Sequence, residues 1–112
     1  MEPNIVLKGS LQTIILKLLQ DNGRMYGYEI TKAVKELSLS KIVLTEAALY
    51  PTLHKLLDED LLETTSEMMD GRLRKYYSLS NKGKKDVIKK VDVLKSSLDA
   101  VQLLLNNKLS YG

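Results

Sequence analysis

Cysteine and tryptophan are absent from this chain of 112 residues, and histidine occurs only once. Without thiols the chain can form neither a disulfide framework nor a thiolate metal site. A single histidine with no second one beside it is also a poor basis for a metal site. We therefore expect no metal ion and no other cofactor.

Long hydrophobic runs are missing as well. No apolar stretch approaches the roughly 20 residues that a membrane helix needs. The beginning, "MEPNIVLKGS", has no basic start, apolar middle and small-residue cleavage site of a signal peptide. The length suits one domain, and we expect a cytoplasmic protein without a membrane segment.

The residue constellations of enzymes are also lacking. The sequence contains no nucleophile paired with a base, no glycine-rich phosphate loop and no metal-ligand spacing. We expect that the chain is not an enzyme.

Charge is distributed unevenly although the net charge is only +3. Residues 58–70 contain six acidic residues and no basic one, whereas residues 72–90 contain eight basic residues and one acidic residue. Two interpretations stay open. The two segments either neutralise each other beside a solvated helix face, or the basic segment is a surface for nucleic acid.

Apolar periodicity predicts three helices in the first half of the chain. The first is capped by Ser10 and ends at "DNG", where Gly23 can take a left-handed conformation. The second covers about 26–38, and "KIVL" at 41–44 is predicted as a very short strand. The third covers 46–59, capped by Thr45.

After the third helix the period changes to two, which predicts a hairpin with a two-residue turn at Asp70-Gly71. This turn sets Met69 opposite Arg72, Met68 opposite Leu73 and Glu67 opposite Arg74. We expect a Glu67–Arg74 ion pair on the outer face. Four side chains are expected on the core face: Met68, Leu73, Tyr77 and Leu79.

Ser80 is predicted to cap a long last helix that runs to about Asn107. Its apolar residues step by 4, 3, 4, 3 and 4, the spacing of an a/d heptad seam. The seam comprises Val87, Val91, Leu94, Leu98, Val101 and Leu105. We favour a dimer interface, and the alternative is a helix folded back on its own domain.

Three helices followed by a hairpin predict a winged helix-turn-helix, a mainly α fold with a small β-hairpin. Residues 1–80 would form the DNA-binding domain and residues 81–112 the dimerisation helix. In this architecture the third helix enters the major groove of DNA.

The third helix contains Pro51, which has no N–H to donate inside a helix. At 100° per residue Pro51 lies almost opposite the leucines of the core side. It shares the outer face with Ala47, His54, Lys55 and Asp58, and Tyr50 lies at the flank. A small apolar group on that face suits a groove-entering helix. Alternatively, Pro51 only bends the helix. His54, in turn, is either a DNA contact or a surface residue without a role.

Three motifs resemble the PadR family of bacterial transcriptional regulators: "GYEI" at 27–30, "LYPTLHKL" at 49–56 and "GRLRKYYSLSNKG" at 71–83. "KGSLQTIILKLL" is similar to that family's first helix, and the resemblance covers roughly residues 8–85. It implies a homodimeric winged-helix repressor that binds an operator near a promoter and releases it when an effector binds. A single helix after the wing is similar to the smaller PadR subfamily.

The resemblance also assigns residues. Tyr50, Pro51 and His54 match the family's recognition helix. The motif of the second helix is matched by Gly27, Tyr28 and Glu29. We interpret these as packing residues, with the Tyr28 ring buried. The wing is matched by Gly71, Arg72, Arg74, Lys75 and Tyr77. The chain departs from the family in the acidic "DED" that ends the third helix and in having no tryptophan to stack on planar drugs.

The expected partners are a near-palindromic double-stranded operator, a second copy of the chain and a small apolar or phenolic effector. The DNA-binding candidates are Ala47, Tyr50, Pro51, His54, Lys55, Arg72, Arg74 and Lys75. The effector candidates are Leu11, Ile14, Ile15, Val91, Leu94 and Leu98, unless these residues are simply core and seam. The alternative functions are a winged-helix module that binds proteins and a repressor without an effector.

Overall fold

The computed structural model describes the backbone of residues 5–110 and the side chains of residues 9–110. It confirms the predicted fold class, a mainly α winged helix-turn-helix followed by a long helix. The elements are α1 (Ile5–Asn22), β1 (Arg24–Tyr26), α2 (Gly27–Leu37), α3 (Glu46–Asp58), β2 (Leu62–Met69), β3 (Arg72–Leu79) and α4 (Asn81–Asn106). None of these helices is long and apolar enough to cross a bilayer.

The predicted start of α1 was wrong. Ser10 is a buried residue inside the helix, not its cap. The preceding "IVLKG" contains no proline, and a single glycine is tolerated inside a helix, so α1 continues through Gly9 and Ser10. The end was predicted correctly, since Gly23 follows the helix with a φ of +82°.

The sheet has three strands in the order β1-β3-β2. The short strand that was predicted for "KIVL" is not one of them. Residues 42–45 form an irregular connection, in which the Ile42 N–H donates to Ser38 Oγ at 3.0 Å. The third strand is β1, which pairs antiparallel with β3 so that Met25 lies opposite Tyr77.

The hairpin has the predicted register, with Met69 opposite Arg72 and Glu67 opposite Arg74. Asp70 and Gly71 both have positive φ, +51° and +77°. A two-residue turn that matches the strand twist requires this conformation, and Asp-Gly adopts it readily.

The core lies between the inner face of the sheet and the helices α1, α2 and α3. Its residues include Ile15, Leu16, Leu19, Ile30, Leu49, Leu53, Leu56, Leu61, Tyr77 and Val87. Tyr77 and Leu79 are buried as predicted, but Met68 and Leu73 are 65% and 69% exposed. The hairpin is longer than the helical layer beneath it, so its tip extends beyond the core.

Helix α4 begins inside the core and then leaves it. Ser80 caps it as predicted, with Oγ accepting from the Gly83 N–H at 3.0 Å. Val87 is fully buried in its own chain, so the accessible part of the predicted seam begins at Val91. Every residue of α4 after Leu94 is exposed, and the molecule is 66 Å long.

Candidate nucleic-acid interface

The outer face of α3 is exposed to solvent. Thr45 Oγ1 accepts from the Ala48 N–H at 3.3 Å and fixes where the helix begins. The predicted outer residues, Ala47, Pro51, His54 and Lys55, are all exposed. The missing N–H of Pro51 therefore falls on the solvent side, and the helix continues through it to Asp58.

Tyr50 stands at the edge of this face and packs against α2. A Cβ on Gly27 would lie 2.5 Å from Tyr50 Oη, so a larger residue there would displace the phenol from its present position. This agrees with the interpretation of Gly27 as a close-packing residue. The Tyr28 ring, however, was wrongly predicted as buried. It is 61% exposed, because the buried side of α2 is formed by Gly27, Ile30 and Val34.

Helix α3 and the wing are adjacent at Tyr50 and Tyr77. Burial, and after it the neighbouring Tyr50, raises the pKa of the Tyr77 phenol above its ordinary value. Lys75 lies on the same face of β3 as Tyr77, with its Nζ 5.7 Å from the centroid of the Tyr77 ring. The inner face of the wing therefore lies beside the recognition helix.

Two wing cations are available for an outside partner. Arg72 and Lys75 are exposed, and neither forms a salt bridge with any residue from 9 to 110. By strand parity Arg72 lies on the outer face of the hairpin and Lys75 on the inner face. The tip thus presents one cation on each side.

The predicted Glu67–Arg74 ion pair was wrong. Glu67 accepts a hydrogen bond from Arg24 of β1 at 2.7 Å. This bond holds the pKa of the Glu67 carboxyl below its ordinary value and raises the pKa of Arg24. The guanidinium of Arg74 lies instead over the Tyr26 ring, 4.2 Å from its centroid.

Arg24 also lies over the Tyr76 ring, at 4.3 Å, and Tyr76 meets Tyr26 edge to face at 5.6 Å. These residues form a network that ties the hairpin to β1. Sequence reasoning missed it because a strand of three residues is too short for a reliable period-two pattern. The sequence indicated this strand only by one apolar residue, Met25, between the charged Arg24 and the aromatic Tyr26.

The basic segment is not a single surface. Arg72, Arg74 and Lys75 are on the wing, whereas the lysines from Lys82 onward belong to α4, which begins at the opposite end of β3. Along β3, Leu79 lies roughly 23 Å from Arg72 and roughly 13 Å from Lys75. The α4 group meets α3 at its C-terminal end, where Lys82 Nζ donates to the Glu59 carbonyl at 3.1 Å.

Within residues 9–110 the structure places the predicted effector residues in different surroundings. Leu11 and Ile15 are buried in the core, and Ile14 is packed against it. Leu94 borders a cleft of about 560 Å³ between α1 and α4, and Val91 borders a neighbouring one of about 410 Å³. Within residues 9–110 no three acidic or histidine side chains are placed to hold a metal ion.

Comparisons with known proteins agree with this architecture. The model of the transcriptional regulator PadR-like family matches residues 15–89. An uncharacterized protein from Lysinibacillus sphaericus is 32% identical over 80 residues, which cover 70% of this chain and 72% of that protein.

Two solved structures are similar over most of their length. A transcriptional regulator from Clostridium thermocellum is 26% identical with a TM-score of 0.79, covering 88% of this chain and 96% of that one. A PadR-like transcriptional regulator from Bacillus cereus is 26% identical with a TM-score of 0.76, covering 94% of this chain and 100% of that one.

Proposed function

Because the chain belongs to the PadR-like family of transcriptional regulators, we propose that it is a homodimeric repressor that a small molecule releases from its operator. The family consists of DNA-binding regulators, not enzymes. In this proposal residues 1–80 bind the DNA and residues 81–112 hold the two subunits together.

The observation that supports DNA binding most is the exposed outer face of α3 beside the basic strand β3 of the hairpin. Ala47, Pro51, His54 and Lys55 would face the major groove, with Tyr50 at its edge. Arg72 and Lys75 would contact phosphates. Arg74 is ranked lower, because Tyr26 already holds its guanidinium.

Dimerisation is supported by the apolar stripe of α4 that leaves the core. Leu98, Val101 and Leu105 are exposed large hydrophobic residues in heptad register. Pairing of two such helices would place two recognition helices on one side of the DNA. For half-sites one helical turn apart, about 34 Å, the operator would be a near-palindrome.

Effector release is supported by the cleft between α1 and α4, which borders the proposed dimerisation helix at Leu94. A small apolar or phenolic molecule bound there would change the relative position of the two DNA-binding domains. It would release DNA only by preferring the arrangement that does not fit the operator. A repressor controlled by its own concentration is the alternative when no ligand of this class binds.

Arg72→Ala tests the proposal. We expect weaker binding to operator and unrelated DNA alike, and a salt dependence shallower by about one unit, because one phosphate contact is lost. Fluorescence anisotropy at several salt concentrations measures both quantities. Lys85→Ala, which removes an exposed lysine of α4, is the matched control and should change neither.

Unchanged affinity and salt dependence in Arg72→Ala would contradict the assignment of the wing. A wild-type protein that binds none of the DNA upstream of its own gene would favour the protein-binding module. That alternative has a physical basis in Asp58 and Asp60, which are exposed at the end of α3 and would be repelled by phosphates.

A further inference from the structure

We infer that Met68 and Leu73 form an apolar wedge that enters the minor groove of the operator, beside the major groove that α3 occupies, and bends the DNA there. The inference rests on the proposed function and deepens it. It assigns the tip of the wing a role in recognising DNA shape that its cations alone would not supply.

The two side chains form one small apolar surface. Met68 and Leu73 are directly opposite each other in the hairpin, so their side chains are neighbours on the same face. Strand parity places them on the face of Tyr77 and Leu79, both of which are buried. That face is the one that adjoins α3.

Within residues 9–110 this surface is left uncovered. Met68 is 65% and Leu73 69% exposed, four to six strand residues beyond Tyr77 and Leu79. From Tyr77 to Leu73 the strand advances roughly 13 Å. That reach approaches half a helical turn of B-DNA, about 17 Å, which separates a major groove from the next minor groove.

The charge around the wedge favours nucleic acid as its partner. The paired residues 66–75 contain three cations, Arg72, Arg74 and Lys75, against two carboxylates, and one of these, Glu67, is already bonded to Arg24 of β1. An apolar tip with a cationic margin matches a minor groove, whose deoxyribose walls are apolar and whose edges are phosphates. Methionine and leucine are among the side chains that proteins insert at base steps to bend DNA.

A double variant, Met68→Thr with Leu73→Thr, tests the wedge while keeping residues suited to a strand. We expect about tenfold weaker operator binding, since the apolar contact is lost. The salt dependence should stay unchanged, because apolar contacts release no counterions. Energy transfer between dyes at the two ends of the operator should show a smaller bend. Both side chains are mostly exposed, so the melting temperature should stay close to that of the wild type.

Met69→Thr is the matched control. Met69 is also at the tip but lies opposite Arg72 on the outer face of the hairpin. It should leave the affinity and the bend unchanged. If the control weakened binding as much as the double variant, the wedge assignment would be overturned.

Inosine substitution separates the two grooves. Replacing guanine by inosine in the operator flanks removes only the minor-groove amino group and leaves the major-groove pattern intact. Wild-type affinity should rise, because that amino group obstructs the groove floor, and the double variant should respond much less. Equal responses, or equal affinity and bend on the unmodified operator, would overturn the wedge.

Two further measurements distinguish a failure of the wedge from a failure of the proposed function. A wild-type protein that binds none of the DNA upstream of its own gene overturns the proposed function together with the wedge. If the double variant dissociated the free protein into smaller species in sedimentation, Met68 and Leu73 would belong to a contact between copies of the chain, and the wedge would be wrong.

Discussion

Asp70 serves the fold of the wing and opposes its proposed function. Its positive φ of +51° closes the hairpin turn, and its carboxylate is exposed at a tip that we place against phosphates. Asparagine accepts the same left-handed conformation without the charge. The two demands on this residue can therefore be separated by one substitution.

For Asp70→Asn we expect DNA binding about two- to fivefold tighter at low salt, because a repulsion between like charges is removed. The advantage should shrink as salt is added. Anisotropy titrations at two salt concentrations measure it, and an unchanged melting temperature shows that the turn is intact. Weaker binding by Asp70→Asn would mean that the tip does not approach phosphates.

At the scale of elements, the end of α3 and the beginning of α4 are joined at Ser80 and Gly83. Ser80 Oγ donates to the Asp60 carbonyl at 2.6 Å and accepts from the Gly83 N–H. The Ser80 N–H donates to the Leu61 carbonyl at 3.0 Å. A Cβ on Gly83 would overlap that carbonyl oxygen, so glycine is required by the close approach of two backbones.

Gly83→Ala should therefore lower the free energy of unfolding by about 1–3 kcal/mol through overpacking. Gly9→Ala in α1 is the matched helix control, since a Cβ there meets nothing within 4 Å. It should raise the stability by about 0.5–1 kcal/mol through helix propensity alone. Urea unfolding followed by circular dichroism compares the two variants, and equal effects would contradict the role of the Leu61 contact.

At the scale of the whole molecule, α4 links the DNA-binding domain to the proposed second subunit. Leu94 is half-buried and Leu98 exposed where the helix leaves the core. A seam of two helices would bury both and bring two wings and two recognition helices into one assembly. This is where the proposed symmetry of the operator originates.

Replacing Leu94 and Leu98 with Asp places charges in that seam, and we expect monomers with poor operator affinity. Leu98→Asp alone, at an exposed site, should weaken the dimer without destabilising the subunit. Ser96→Asp, about 200° around the helix from Leu94, should leave the dimer intact. Sedimentation velocity distinguishes these outcomes, and an unchanged dimer in the double variant would refute the seam.

The sequence by itself determined the features that depend on neighbours along the chain. The hairpin register follows from Asp70-Gly71 and a period of two, and the structure has the same register. The outer face of α3 follows from a rotation of 100° per residue, and the structure leaves Pro51 and His54 exposed there. Thr45 and Ser80 cap their helices as predicted, because a cap bonds within three residues.

The tertiary structure alone decided the features that depend on distant residues. Glu67 pairs with Arg24, 43 residues away, and strand β1, which carries Arg24, is formed only because β3 pairs with it. Val87 is buried while Met68 and Leu73 are exposed. The heptad pattern of α4 and the period of two in the hairpin both assign these residues to an apolar face, and the extent of the opposing layer decides which of them is buried. Periodicity gives a side chain its face, but burial depends on how far the opposing layer extends.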